Sequence, residues 1–334
     1  MSLLDINRRD ADIGTGRAGR QPGQETSTCG KDPPVTTLSL GSSTSAGIPL
    51  FEAAGPSFAE HYREQGFALL GGALSPVEVA EVNAEALRLC RGELGEVAGS
   101  AATEQETDEE LLRRFLCIHY PHKVSEVALR ALTNPRIVDC LVAVIGPNVK
   151  AMQSMLFIKS EGKPGQAWHQ DEYFIPTRDR SLTGVWIALD DATIENGCLW
   201  VLPGSHRRGV LYPARDQDDP RFDCSIEAYD FPYSPDQSLP VEIPAGTAVF
   251  FNGYLLHRSL QNSGRHGYRR ALANHYMSAE SLLPWRRPVD DEHMAIADYR
   301  DIVLVAGEDP YAYKGVEDVA RPMSRPDKEG GCDR

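Results

Sequence analysis

The chain lacks any run near the eighteen or so apolar residues that a membrane-spanning helix needs. It also lacks paired cysteines. Cys29, Cys90, Cys117, Cys140, Cys198, Cys224 and Cys332 are scattered, odd in number and never at CxxC spacing. That argues against a disulfide framework or a thiolate zinc site and for reduced thiols in a cytosol. Positive charge is scarce: 34 Lys and Arg stand against 48 Asp and Glu, for a net charge of −14. Nucleic acid and anionic membrane are therefore not expected partners, because both are held by clustered cations. No internal repeat is present. No apolar stretch follows Arg8-Arg9, and Cys332-Asp333-Arg334 is neither a peroxisomal tripeptide nor a prenylation box. The expectation is a cytoplasmic protein, a monomer or weak homo-oligomer, that acts on a small molecule.

What is there suits a globular chain with a large core: 41% of 334 residues are hydrophobic and 25% charged. Residues 1–50 are rich in Gly, Ser, Thr and Pro without hydrophobic periodicity and read as a disordered extension. A short helix over residues 58–65 is closed by Gly66, and residues 67–70 form an apolar strand. Ser75-Pro76-Val77-Glu78 opens a helix with a cap, a first-turn proline and an acid at the third position. Residues 99–110 are polar and acidic and read as a mobile loop. Residues 115–120 read as a strand, and Asn134-Pro135 starts a helix that Gly146-Pro147 ends.

From Val149 onward the pattern is one of strands: residues 152–159, the stretch around His169, then 184–189, 198–202, 241–243, 248–251 and 269–277. Asn196-Gly197 reads as a hairpin turn that makes 198–202 the returning partner of 184–189. Residues 210–239 form a polar, proline-rich insertion over one end of the sheet. Beyond Pro284 the chain is a C-terminal extension; residues 298–305 are expected to pack back on the core, and the last dozen to be disordered. Many short strands separated by turn residues predict a mainly β protein with flanking helices, a sandwich or barrel rather than a βαβ fold.

The chemistry centres on Trp168-His169-Gln170-Asp171. In a strand, residues i and i+2 share a face, so His169 and Asp171 aim at one point and Gln170 turns away. A second histidine would complete the 2-His-1-carboxylate set that leaves positions open on non-heme Fe(II). Taken alone, His-x-Asp is more often an ordinary piece of strand. His257 is the candidate partner, after the apolar strand Ala248-Val249-Phe250-Phe251 and Leu255-Leu256. Twelve residues further on, in Tyr268-Arg269-Arg270-Ala271, Arg269 would offer a planar fork to a carboxylate in an apolar pocket. A 2-oxo acid fits that combination: its C1 carboxylate and C2 carbonyl chelate the iron, its far carboxylate meets the arginine, and one position stays open for O2. Bland readings compete, with His257 structural and Arg269 or Arg270 on the surface. His119 and His122 have no acid two residues on and read as pocket wall or core.

Three stretches carry a resemblance. Residues 167–209 (AWHQDEYFIPTRDRSLTGVWIALDDATIENGCLWVLPGSHRRG), residues 251–276 (FNGYLLHRSLQNSGRHGYRRALANHY) and Tyr62-Arg63-Glu64-Gln65-Gly66-Phe67 resemble the phytanoyl-CoA dioxygenase family. The resemblance covers residues 57–285 and implies a double-stranded β-helix (jelly roll, cupin-like), with residues 286–334 as the C-terminal extension. It also implies an Fe(II)- and 2-oxoglutarate-dependent dioxygenase that hydroxylates an unactivated C–H of a small molecule and releases succinate and CO2. Fe(II) is then the cofactor, with 2-oxoglutarate and O2 as cosubstrates.

Carried over by position, the resemblance makes His169, Asp171 and His257 the iron ligands. Arg269, with Ser259, becomes the anchor of the cosubstrate's C5 carboxylate, and Trp186 and Met155 line its pocket. Gln170 belongs to the same motif with its side chain outside the ligand set. Arg270 is the alternative anchor; Tyr-Arg-Arg-Ala favours Arg269. The carboxylate of Asp171 points to hydroxylation rather than halogenation. His119, Lys123, Glu172, Tyr173 and Phe174 are expected in the substrate pocket, and residues 99–110 and 210–239 as lids. Two alternatives stay open: a non-catalytic jelly-roll metal- or ligand-binding protein, and an acyl-CoA hydroxylase. Against the latter, no Lys/Arg cluster stands out for the phosphates of CoA.

Overall fold

In the computed structural model of the chain the described residues are 44–98, 105–284 and 298–326. Most of the expected N-terminal extension, and residues 286–297 and 327–334 of the C-terminal one, lie outside them; Met323–Pro326, expected to be disordered with the rest of the last dozen, form a strand. In chain order the strands are β1 Leu50–Phe51, β2 Phe67–Leu70, β3 Phe115–His119, β4 Val149–Lys159, β5 Gln166–His169, β6 Thr183–Ala188, β7 Leu199–Val201, β8 Ala214–Arg215, β9 Glu227–Ala228, β10 Leu239–Val241, β11 Ala248–Asn252, β12 His257–Ser259, β13 Arg269–Ser278, β14 Val303–Ala306 and β15 Met323–Pro326. Between them lie α1 Pro56–Gln65, α2 Pro76–Cys90, α3 Asp108–Arg113, α4 Glu126–Leu132 and α5 Pro135–Ile145.

The helices start where local chemistry dictates. Ser75 and Glu78 close a reciprocal capping box at α2, and Asn134 accepts the first free amides of α5. Gly66 ends α1 in the left-handed conformation (φ 84°) that an L side chain disfavours. The expected loop at 99–110 is corrected in part. Thr107 and Glu110 form a second capping box, so residues 108–110 are already helix; residues 99–104 lie outside the described residues.

Nine strands form a large sheet in the order β1-β2-β11-β6-β13-β4-β3-β15, with β14 added beside β4. A smaller sheet runs β10-β7-β12-β5. Side chains alternate across the large sheet. Ala68, Leu70, Val185, Ile187, Ala248 and Phe250 pack with Phe58, Tyr62, Val82 and Leu89 of the helices. The residues between them, Phe67, Leu69, Trp186, Val249 and Phe251, pack against Leu199 and Val201 of the small sheet. One face of the large sheet is thus a helix-backed core and the other is the inside of a jelly roll. The sheet runs past both expected boundaries of the folded unit, taking in β1 at one end and β14 and β15 at the other.

The hairpin expected at Asn196-Gly197 does not form. β6 pairs with β11 and β13, while β7 pairs with β10 and β12, so the turn carries the chain from one sheet to the other. Asn196 still builds a tight turn: its Oδ1 accepts from Thr193 N at 2.8 Å and its Nδ2 donates to Asp191 O at 2.8 Å. Gly197 (φ 81°) lies against Leu260, where a Cβ would sit 2.2 Å from the carbonyl oxygen. Cys90, Cys117, Cys140 and Cys198 are buried thiols, whereas Cys224 is disulfide-bonded, against the expectation of thiols throughout.

Candidate metal centre

The two strands that carry the histidines are neighbours in the small sheet. β12 pairs antiparallel with β5, and the register sets His257 directly opposite His169, with ring centroids 4.0 Å apart. Strand β5 stops at His169. Asp171 does not continue it, as the i, i+2 argument assumed, but opens a 3₁₀ turn over Asp171–Tyr173, whose carbonyl accepts from Phe174 N and Ile175 N. The turn swings the carboxylate back over the strand pair. One ligand atom from each of His169, Asp171 and His257 lies within 4.8 Å of the others, and all three side chains are buried.

Both rings are fixed by the chain's own carbonyls. Nδ1 of His169 lies 2.8 Å from Ala167 O, and Nδ1 of His257 lies 3.0 Å from Leu255 O. Each Nδ1 therefore carries the proton, and each Nε2 turns a lone pair toward Asp171 Oδ1, at 3.5 and 3.6 Å. Burial, and then the neighbouring His169, push His257 down to about 4, so it stays a neutral donor at physiological pH. Burial works against ionisation of Asp171, but His257, a hydrogen bond from His275 and the other rings outweigh it and hold the carboxyl well below its ordinary value.

His275 went unnoticed in the sequence. It lies in β13 of the large sheet, buried, with Nε2 3.0 Å from Asp171 Oδ2. The acid's two oxygens are thereby divided: Oδ2 accepts from His275, and Oδ1 faces the other two imidazoles. A cation at this cluster would meet two imidazole nitrogens and one carboxylate oxygen. That is the donor set of non-heme Fe(II) sites with open positions, and the residues fit such an ion.

The cluster opens on a cavity of about 300 Å³ between the sheets. Its wall follows the pairing of β13 with β4. The register sets Arg269 opposite Lys159, Ala273 opposite Met155 and His275 opposite Gln153, and all six residues line the cavity. Trp186, Phe251 and Leu199 make the wall apolar. The Arg269 guanidinium is buried and stacks 5.4 Å from the Trp186 ring centroid. Arg270, one residue on and facing the other way, is held by Asp190 through contacts of 2.9 and 2.6 Å. Of these two neighbours, Arg269 is the one that lines the cavity. Ser259 also lines it, as does Lys159, which the sequence reading passed over.

The remaining expected residues divide. His119 and Phe174 line the cavity. Lys123 does not: it pairs with Asp301 and with Asp318. Glu172 is buried outside the cavity wall and accepts from Thr177 N and Oγ1, both at 2.7 Å; burial pushes its carboxyl up to about 7. Tyr173 is exposed beside the site and outside this cavity. Gln170 likewise reaches neither cluster nor cavity. Its amide donates to Val210 O and Tyr254 O and accepts from Tyr212 N, so it ties the 210–239 insertion to the segment before His257. That insertion places Asp223 and Ser225 on the cavity wall.

Comparison with known proteins gives a consistent picture. A family profile described as phytanoyl-CoA dioxygenase (PhyH) matches residues 62–271. Phytanoyl-CoA dioxygenase 1 of Oryza sativa subsp. japonica is 39% identical over 131 residues, which cover 39% of this chain and 45% of that protein. The chain thus spans less than half the length of this plant relative. The peroxisomal phytanoyl-CoA dioxygenase of Rattus norvegicus is 29% identical over 272 residues, 77% of each chain. Among solved structures, EctD from S. alaskensis with 2-oxoglutarate and 5-hydroxyectoine superposes with a TM-score of 0.54 at 22% identity. The match covers 74% of this chain and 84% of that one, and the likeness is one of fold.

Proposed function

This chain belongs to the phytanoyl-CoA dioxygenase family, and from that premise we propose that it is an Fe(II)- and 2-oxoglutarate-dependent dioxygenase. It hydroxylates an unactivated C–H bond of a small molecule and releases succinate and CO2. One observation carries the reading: a two-histidine, one-carboxylate cluster and a buried arginine that pairs with no acid among the described residues share one cavity. Iron and 2-oxoglutarate, when bound, supply the activation of O2, chemistry that no side chain here performs.

The chain's own residues bind, orient and exclude. His169 and His257 present Nε2 and Asp171 presents Oδ1 to the metal. Arg269 holds the far carboxylate of the cosubstrate; burial pulls its guanidinium down only to about 10, so it remains a cation at neutral pH. Trp186, Phe251 and Leu199 keep water from the chelate, and a water-poor wall strengthens every charged contact inside it. His119, Phe174 and Ile175 line the part of the cavity left for the substrate. The neighbouring fold that holds 2-oxoglutarate with 5-hydroxyectoine supports a small organic substrate. The names of the relatives bring in an acyl-CoA as the second candidate. No described helix is long and apolar enough to cross a membrane; a cytoplasmic location is part of the same proposal.

The test is anaerobic titration of Fe(II)-loaded protein with 2-oxoglutarate. A weak visible charge-transfer band is expected, followed by succinate release when O2 and a metabolite panel are added. The His169→Ala, Asp171→Ala double variant is expected to bind neither metal nor cosubstrate. Retention of both would overturn the assignment.

A further inference from the structure

One end of the cavity holds two buried basic side chains side by side. Lys159 and Arg269 are register partners across β4 and β13, on the same face, each 3% exposed. Like charges directly opposite in a sheet destabilise it, and more so away from water; burial, and then Arg269, accordingly hold the Lys159 amine well below its ordinary value. Neither makes an ion pair among the described residues. Asp190, the acid whose charge bears on Arg269, is held by Arg270. A fold retains such a pair where an anion is to be bound.

The hydrogen bonds point the same way. Ser259 Oγ accepts from Gln166 N at 3.1 Å and from Lys159 Nζ at 3.2 Å. A hydroxyl has two acceptor positions and one proton. Both acceptor positions are taken, so Ser259 can only donate, and no described group accepts from it. Lys159 Nζ donates also to Leu260 O at 2.7 Å; as an ammonium, the form that a carboxylate beside it favours, it keeps a third donor unused. The Arg269 Nε is buried without a partner. Three unused donors, on Ser259, Lys159 and Arg269, line one cavity. Gly197 belongs to the same construction: it lies against Leu260, and a Cβ there would come within 3.1 Å of Lys159 Nζ.

We infer that Lys159 is a positioning residue for the cosubstrate: it fixes Ser259 as an obligate donor and, paired with Arg269, makes the seat selective for a 2-oxo acid with a second carboxylate. The inference rests on the 2-oxoglutarate reading above.

The experiment is calorimetric titration of Mn(II)-loaded protein with 2-oxoglutarate and with 2-oxopentanoate, which has the same chain without the far carboxylate. Wild type is expected to prefer 2-oxoglutarate. Lys159→Met is expected to raise the Kd for 2-oxoglutarate about ten- to a hundredfold, the worth of a charged hydrogen bond. The Kd for 2-oxopentanoate and for Mn(II) should stay as they were. Adding Ser259→Ala to Lys159→Met should cost little more, because the lysine acts through the serine, and Lys159→Arg should restore part of the preference. If Lys159→Met does not fold, Lys159→Gln, which keeps an N–H for Leu260, is expected to lose the same preference. An unchanged preference in the variant that folds, or equal weakening of both acids, would overturn the inference. Failure of wild type to bind 2-oxoglutarate would overturn the functional reading itself.

Discussion

Asp171 can serve a metal through one oxygen because His275 occupies the other. If Oδ2 were free, the carboxylate could chelate and close a position that the cosubstrate or O2 needs. Removing the partner of a ligating carboxylate typically costs about 10- to 100-fold in metal affinity. His275→Phe is therefore expected to weaken Mn(II) binding by about that factor, and His275→Gln, which can still donate, by less; metal titration of the apo-proteins measures both. The neighbouring arginines give a second contrast. Arg269→Met should abolish detectable 2-oxoglutarate binding and leave thermal stability close to wild type, since it removes an unpaired buried charge. Arg270→Met should retain 2-oxoglutarate binding and lose about 1–3 kcal/mol of stability, because it strips Asp190 of a two-pronged partner. Calorimetry with 2-oxoglutarate and a urea melt separate the two. His169 and Asp171 were legible as a pair because a short spacing within one strand and turn brings them together; His257 and Arg269 lie on other strands and were legible through their order along the chain and the resemblance. His275 was not, although it lies an even number of residues beyond Arg269. Whether it reaches Asp171 depends on how β13 docks over a turn more than a hundred residues earlier in the chain.

Asn196-Gly197 misled the sequence reading for an instructive reason. Turn chemistry is local, and the turn is there; which sheet the chain enters next is set by hydrophobic faces far away. β6 is buried on both faces and belongs in the middle of the large sheet, whereas β7 keeps Trp200 half-exposed and suits the small one. Lys123 failed in the same way. Its partners Asp301 and Asp318 come from the C-terminal stretch, about 180 to 195 residues on, and no spacing rule reaches that far. At this scale the prediction concerns Gly197. Its positive φ and the 2.2 Å approach to Leu260 O leave no room for a Cβ. Gly197→Ala should cost about 1–3 kcal/mol of stability. Because Leu260 follows Ser259, it should also weaken 2-oxoglutarate binding more than Mn(II) binding. A urea melt and the two titrations, done on the same sample, test both parts. A variant that loses only stability would separate the turn from the cavity.

For the molecule as a whole, the sandwich keeps several titrating groups in the form that water disfavours, so its stability depends on pH in a way the net charge does not reveal. Burial, and then Lys123, push His122 down to about 4. Burial also lowers His61 and His206. In the unfolded chain these imidazoles titrate near 6.5. Between that value and the folded one the unfolded state binds more protons, so stability is full above pH 6.5 and falls as the pH drops toward 4. Glu172 works in the opposite sense. Burial raises its carboxyl to about 7, so the folded state keeps a proton that the unfolded state has released, and this contribution declines as pH rises from about 4.5 through 7. The opposed slopes predict a stability maximum near neutrality rather than at the acidic pI. Urea midpoints measured from pH 4.5 to 8 should trace that maximum. His122→Gln should flatten the acid limb by about 1–3 kcal/mol, and Glu172→Gln, which still accepts from Thr177, should flatten the neutral limb and raise stability at pH 8. If both variants moved the acid limb alike, the separate burial of His122 and Glu172 would not govern the profile.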